Sequence, residues 1–192
     1  GSEMCIRDRQ TMAKEAMVML VKSIEAYVEK DLAKAEEVIE SDDVIDDLFD
    51  EIKAELIDAI HQNPDNGEQA ADLLMVSKYL ERIGDHAENI ADSAVKCRED
   101  GISFTKKGAK EILEMHERTL LIFKEAMEMF ITQNPEKQDE ILNLENSIDR
   151  MERELQHNHV KRMAKGKCSP MAGIIFTDLV TGLERIGDHS TN

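Results

Sequence analysis

Tryptophan is absent, and aromatic residues make up only 4% of the chain. With so few large β-favouring side chains, a sheet-built core has little to be made from. The three cysteines, Cys5, Cys97 and Cys168, are odd in number and far apart. That argues against a disulfide framework and against a thiolate zinc site, and it fits a reducing compartment. No apolar run approaches the ~20 residues that a membrane-spanning helix needs, and no secretory signal is visible. Basic residues are outnumbered 24 to 41, which leaves a net charge of −17. A surface this acidic repels phosphate backbones and anionic lipid heads, so nucleic acid is excluded as a partner.

What remains is rich in Glu, Lys, Ala, Leu and Met, with 41% hydrophobic residues over 192 positions. This composition points to a nearly all-helical protein large enough to bury a core. Residues 1–9 show no helical periodicity and are set apart as a non-native or disordered tail. Apolar spacings of three and four then predict helices over residues 10–30 (Met17, Leu20, Ile24, Tyr27) and 31–61 (Val38, Ile45, Leu48, Ile52). A third is expected over 68–98, after the turn signal Asn63-Pro64-Asp65-Asn66-Gly67. The pattern repeats with helices over 105–132, 136–165 and from 171 onward, broken at Asn134-Pro135 and at Gly166 to Pro170. The expected fold is all-α, with two tandem three-helix antiparallel bundles over residues 10–101 and 102–192. The last helix reads as cut short at Asn192. The methionines read as core filler, and His157, His159 and Lys161 as a solvated face.

The two halves share more than helix count. Leu80-Glu81-Arg82-Ile83-Gly84-Asp85-His86 returns as Leu183-Glu184-Arg185-Ile186-Gly187-Asp188-His189, an offset of 103 residues from Glu81 to Glu184. Asp42-x-x-x-Asp46 returns as Glu145-x-x-x-Asp149 with the same offset. Two motifs in one register mark an internal duplication. Residues four apart lie about 40° from one another on a helix. Glu81 and Asp85 therefore form a row, which Asn89 extends, and Asp42 and Asp46 form another. Like charges at this spacing cost roughly 0.2–0.5 kcal/mol a pair, and Gly84 and Gly187 about 1 kcal/mol each against Ala. Locally unfavourable choices that recur are expected at functional sites. A cation resolves the conflict, because oxygen ligands on facing helices suit hard or borderline metals. The candidate ligands are Asp42, Asp46, Glu81, Asp85 and Asn89 in one half, and Glu145, Asp149, Glu184, Asp188 and Asn192 in the other. Gly84 is expected to let neighbouring backbone approach. Arg82 and Arg185 read as counter-charges to the carboxylates, and His86 and His189 as supporting or packing residues beside the ligands.

These residues carry a resemblance. Over residues 10–192 the chain resembles the PhoU family of phosphate-transport accessory and regulatory proteins. The two Glu-Arg-Ile-Gly-Asp-His stretches and the preceding acidic rows are specific to it in combination. The resemblance implies multinuclear metal clusters, with iron or zinc as the cofactor. It also implies a non-enzymatic, cytoplasmic role, possible homodimers, placement at the inner face of the membrane, and restraint of phosphate uptake and starvation signalling. The implied partners are the ATPase of the phosphate ABC transporter and a sensor histidine kinase. One departure is the run from His157 to Arg162 with Gly166-Lys167-Cys168-Ser169-Pro170. It is similar to PhoU-like domains fused behind sodium/phosphate cotransporters, and the alternative partner is the membrane domain of such a cotransporter. A di-metal enzyme is disfavoured, since such bundles use Glu-x-x-His motifs that neither repeat contains.

Overall fold

The computed structural model describes residues 2–132 and 134–191, with side chains from Arg7 onward. Six helices follow in order: α1 (Ser2–Glu29), α2 (Leu32–Gln62), α3 (Gly67–Glu99), α4 (Lys106–Thr132), α5 (Gln138–Ala164) and α6 (Pro170–Thr191). Single 3-10 turns (Pro64–Asn66 and Pro135–Lys137) precede α3 and α5.

Local chemistry explains where the elements begin. Asp31 caps α2 by accepting from the amides of Ala33 and Lys34, which satisfies donors left open at a helix start. Asn63 and Asn134 perform the same service for the two 3-10 turns, accepting from Asp65 and Glu136. The same Asn-Pro device is used at two places that the duplication does not relate. Pro170 occupies the first position of α6, where its missing N–H costs nothing.

α1 runs back through the stretch that lacks periodicity, against the expectation of a tail. Arg9 is buried and its guanidinium lies 5.7 Å from the centre of the Phe130 ring. A cation–π contact of this kind holds the helix without an apolar stripe.

The apolar stripes behave as their spacing predicts. Val38, Ile45 and Ile52 of α2 are fully buried, as are Ile112 and Met115 of α4 and, within 1%, Ile148 of α5. α1, α2 and α3 pack on one another, as do α4, α5 and α6. The two groups lie side by side, because α3 packs along α6 and α1 along α4. The buried side chains of both join into one contiguous core.

Candidate metal centres

The acidic rows meet where α2 faces α3 and where α5 faces α6. Oxygens of Asp42, Asp46 and Asp85 all lie within 4.8 Å of one another, as do those of Asp149, Glu184 and Asp188. Asp42 is only 6% exposed, and its Oδ1 is buried with no hydrogen-bond partner. A buried, orphaned carboxylate oxygen is costly unless it meets a cation or a proton. In the chain alone the proton is the answer. Burial first, then the neighbouring carboxyl of Glu88 and the charges of Asp85 and Asp46, push Asp42 up to about 9. Burial, with Asp188 and Glu152 next in order, pushes Glu184 up to about 7. Asp46, Asp85 and Glu145 are also raised, each by burial ahead of its neighbours. The donor set is all oxygen, acidic and convergent, and it fits a hard or borderline cation.

Gly84 contributes in a different way from the one expected. A Cβ there would stand 3.1 Å from Ile45 Cδ1 and 3.3 Å from Asp42 Oδ1. Side chains of α2 make the close approach, not its backbone, and the glycine seats the orphaned oxygen itself. At Gly187 the corresponding neighbour is Ile148 Cδ1 at 3.3 Å.

Several expected residues sit elsewhere. Glu81 borders the first triad but its carboxylate is held by Lys78 at 3.4 Å. Glu145 lies against Asp188 and Thr191. Asn192 lies outside the described residues. Asn89 does not join its row: it is exposed and lines the groove between α3 and α6. The physical reason is drift. Two steps of four carry Asn89 about 80° from Glu81, whereas seven residues carry Glu88 only about 20° the other way. Glu88 is thus the residue beside Asp42. In the second half the same seven-residue step on α5 leads from Glu145 to Glu152, which lies near Asp149 and is raised by burial and that charge. Both acids were legible as members of a heptad row. Arg82 and Arg185 form no ion pair among the described residues. They line the groove between α3 and α6, about 100° round from Glu81 and Glu184, and from there the charge of Arg185 still reaches Glu152 and offsets part of its rise. His86 and His189 stack on each other at 5.4 Å between ring centres, which places them as packing residues at that junction.

A model of the PhoU domain matches residues 10–94 and again 112–192, taking in both carboxylate clusters. The chain belongs to the PhoU family. It is 28% identical over 184 residues to the phosphate-specific transport system accessory protein PhoU homolog 1 of Thermotoga maritima, covering 94% of this chain and 77% of that one. It is 29% identical over 185 residues to the PhoU homolog of Clostridium acetobutylicum, covering 94% and 83%. The crystal structure of PhoU from Pseudomonas aeruginosa superimposes with a TM-score of 0.92 at 21% identity, covering 99% of this chain and 91% of that one.

The two PhoU repeats are not chemically equal. Lys78 supplies an ammonium to Glu81 and lies 5.2 Å from the Phe49 ring centre. The positions equivalent to these two are Thr181 and Glu152. The first cluster therefore carries one positive charge that the second lacks, while Glu152 of the second is matched in number by Glu88 of the first, whose equivalent is Thr191.

Proposed function

We propose that this chain is a non-enzymatic accessory regulator of phosphate-specific transport, with a metal cluster held by the carboxylates of each repeat. The buried, unpartnered Oδ1 of Asp42 within the Asp42–Asp46–Asp85 triad carries the metal reading. Asp42, Asp46, Asp85 and Glu88 would hold the ion of the first repeat, and Asp149, Glu184, Asp188, Glu145 and Glu152 that of the second. Iron or zinc suits such a set, and the metal would serve to tie α2 to α3 and α5 to α6 rather than to activate a substrate. The transport role follows from relatives that align with more than nine-tenths of this chain and are named as accessory proteins of phosphate-specific transport. A cytoplasmic regulator of this kind would act on the transporter's ATPase and on a sensor histidine kinase, and would lower phosphate uptake and the starvation response.

Elemental analysis tests the metal reading. The purified protein should carry iron or zinc, and Asp42→Asn with Asp85→Asn should remove about half of it, leaving the second cluster loaded. Full loading of that variant would sink the assignment. The regulatory reading has its own test. Cells lacking the protein should take up phosphate faster than cells that make it, and equal uptake would count against it.

A further inference from the structure

We propose that Arg82 and Arg185 form a binding site for a tetrahedral oxyanion in the groove between α3 and α6. The inference stands on the arginines alone and does not depend on whether the carboxylate rows hold metal. The duplication places one arginine after the glutamate of each motif, and the packing of α3 along α6 brings the two copies together. Both line one cavity of about 340 Å³ with Asp85, His86 and His189. Arg185 also lines an adjoining cavity of about 380 Å³, whose walls include Asn89, Ser93, Thr181 and the acidic Asp178.

Placement makes the pair unusual. Among the described residues, Lys22, Lys34, Lys78, Lys137 and Arg162 each sit on a carboxylate, many others of the 24 basic residues do not, and Arg82 and Arg185 are two that face one cavity. Arg82 and Arg185 are exposed and make no such pair among the described residues. Two cations facing one space repel each other, and no carboxylate among the described residues lies within ion-pair range of either, although Glu152 feels the charge of Arg185. Asp85 borders the cavity, but its carboxyl belongs to the triad facing α2. The imidazoles supply a further donor. Nδ1 of His189 is buried without a partner. An imidazole can carry a donor N–H at either ring nitrogen.

The geometry selects the ligand. An arginine presents a rigid fork of donors suited to paired oxygens. A carboxylate offers its two oxygens along one edge and can satisfy one fork. A tetrahedral ion offers oxygens on opposite sides and can satisfy a fork from each helix. Phosphate or sulfate therefore fits this site better than an acidic side chain does.

The test is calorimetric titration of the chelator-treated full chain with inorganic phosphate at low ionic strength. One phosphate should bind per chain, more weakly as salt rises. Arg82→Gln or Arg185→Gln should weaken binding about ten- to a hundredfold each, and the double substitution should remove it, since each deletes charge-assisted hydrogen bonds. Both side chains are exposed, so helical circular dichroism should be unchanged in all variants. A second arm sets phosphoserine against phosphate. Equal competition identifies the bound unit as any phosphoryl group and failure identifies it as the free ion, with the oxyanion site standing in both cases. No binding by the unsubstituted chain, or unchanged binding by the double variant, would overturn the proposal.

Discussion

A single glycine shows how sequence cost and site geometry are linked. Gly84 gives up about 1 kcal/mol of helix propensity relative to Ala, and in return it admits Asp42 Oδ1 and Ile45 Cδ1 to within van der Waals range of α3. At Gly187 the nearest atoms belong to Ile148 and Ile122, with no ligand oxygen among them. The two glycines should therefore respond differently to the same change. Gly84→Ala crowds Asp42 and should lower metal binding at the first cluster severalfold, with stability altered by less than about 1 kcal/mol because propensity offsets crowding. Gly187→Ala should leave loading intact. Competitive metal titration of the two variants measures the difference, and equal loss in both would show that crowding at Asp42 is irrelevant. The need for a glycine was legible in the sequence, since the residue recurs inside a helix. What approaches it was not, because that depends on which rotation of α2 faces α3. Asn89 and Glu88 teach the same lesson. A step of four looks like a row over one turn, but over two turns a step of seven stays closer to the line.

At the scale of elements, the six helices and their breaks were legible because the apolar spacing is regular and the turn residues are strong. The polar end of α5 was not. His159 reads as solvated, yet it is 3% exposed and stacks on Phe176 at 4.4 Å between ring centres, with Cys168 Sγ 3.7 Å from its Nε2. α6 packs across it, and no periodicity within α5 could report a neighbour supplied by α6. The same end holds the buried ion pair of Arg162 with Glu111, which ties α5 to α4. Each side chain is about 10% exposed, and Asn158 donates to the free oxygen of Glu111 at 3.2 Å. Arg162→Met strands that carboxylate and should destabilise the protein by about 3–5 kcal/mol. Replacing both partners, with Glu111→Leu and Arg162→Met together, should cost far less, because no buried charge is left alone. Denaturant unfolding of the single and double variants decides it. Additive losses would mean that the pair is not a unit.

For the whole molecule, the duplication sets two concentrations of negative charge between pairs of helices, and the fold must hold them with protons or with metal. The two cases give opposite responses to pH. In the metal-free protein Asp42 is held up to about 9 and Glu184 to about 7, burial being the first cause of each. Across that window the folded chain binds more protons than the unfolded one. Stability must then fall as pH rises, by up to ~1.4 kcal/mol per pH unit for each extra proton. Between pH 7 and 8 the histidines offset part of this fall. His86 and His116, lowered to about 4 chiefly by burial, and His159 and His189, also lowered, hold fewer protons folded than unfolded near pH 7, a difference that fades by pH 8 and is smaller than the carboxyl effect. The buried thiol of Cys97, whose pKa is raised, acts only at higher pH. The melting temperature of chelator-treated protein should therefore drop from pH 7 to 8. Added iron or zinc replaces the protons, so the loaded protein should melt higher, by about 2.7 kcal/mol of stability at a hundredfold excess of free metal over Kd. It should also melt at nearly the same temperature at both pH values. Acidification towards pH 4 should erase the metal's contribution as protons reclaim the carboxylates. If the chelated protein melts identically at pH 7 and 8 and metal does not raise that temperature, the rows are solvated surface, and the negative charge shared by the two repeats has no cation to hold.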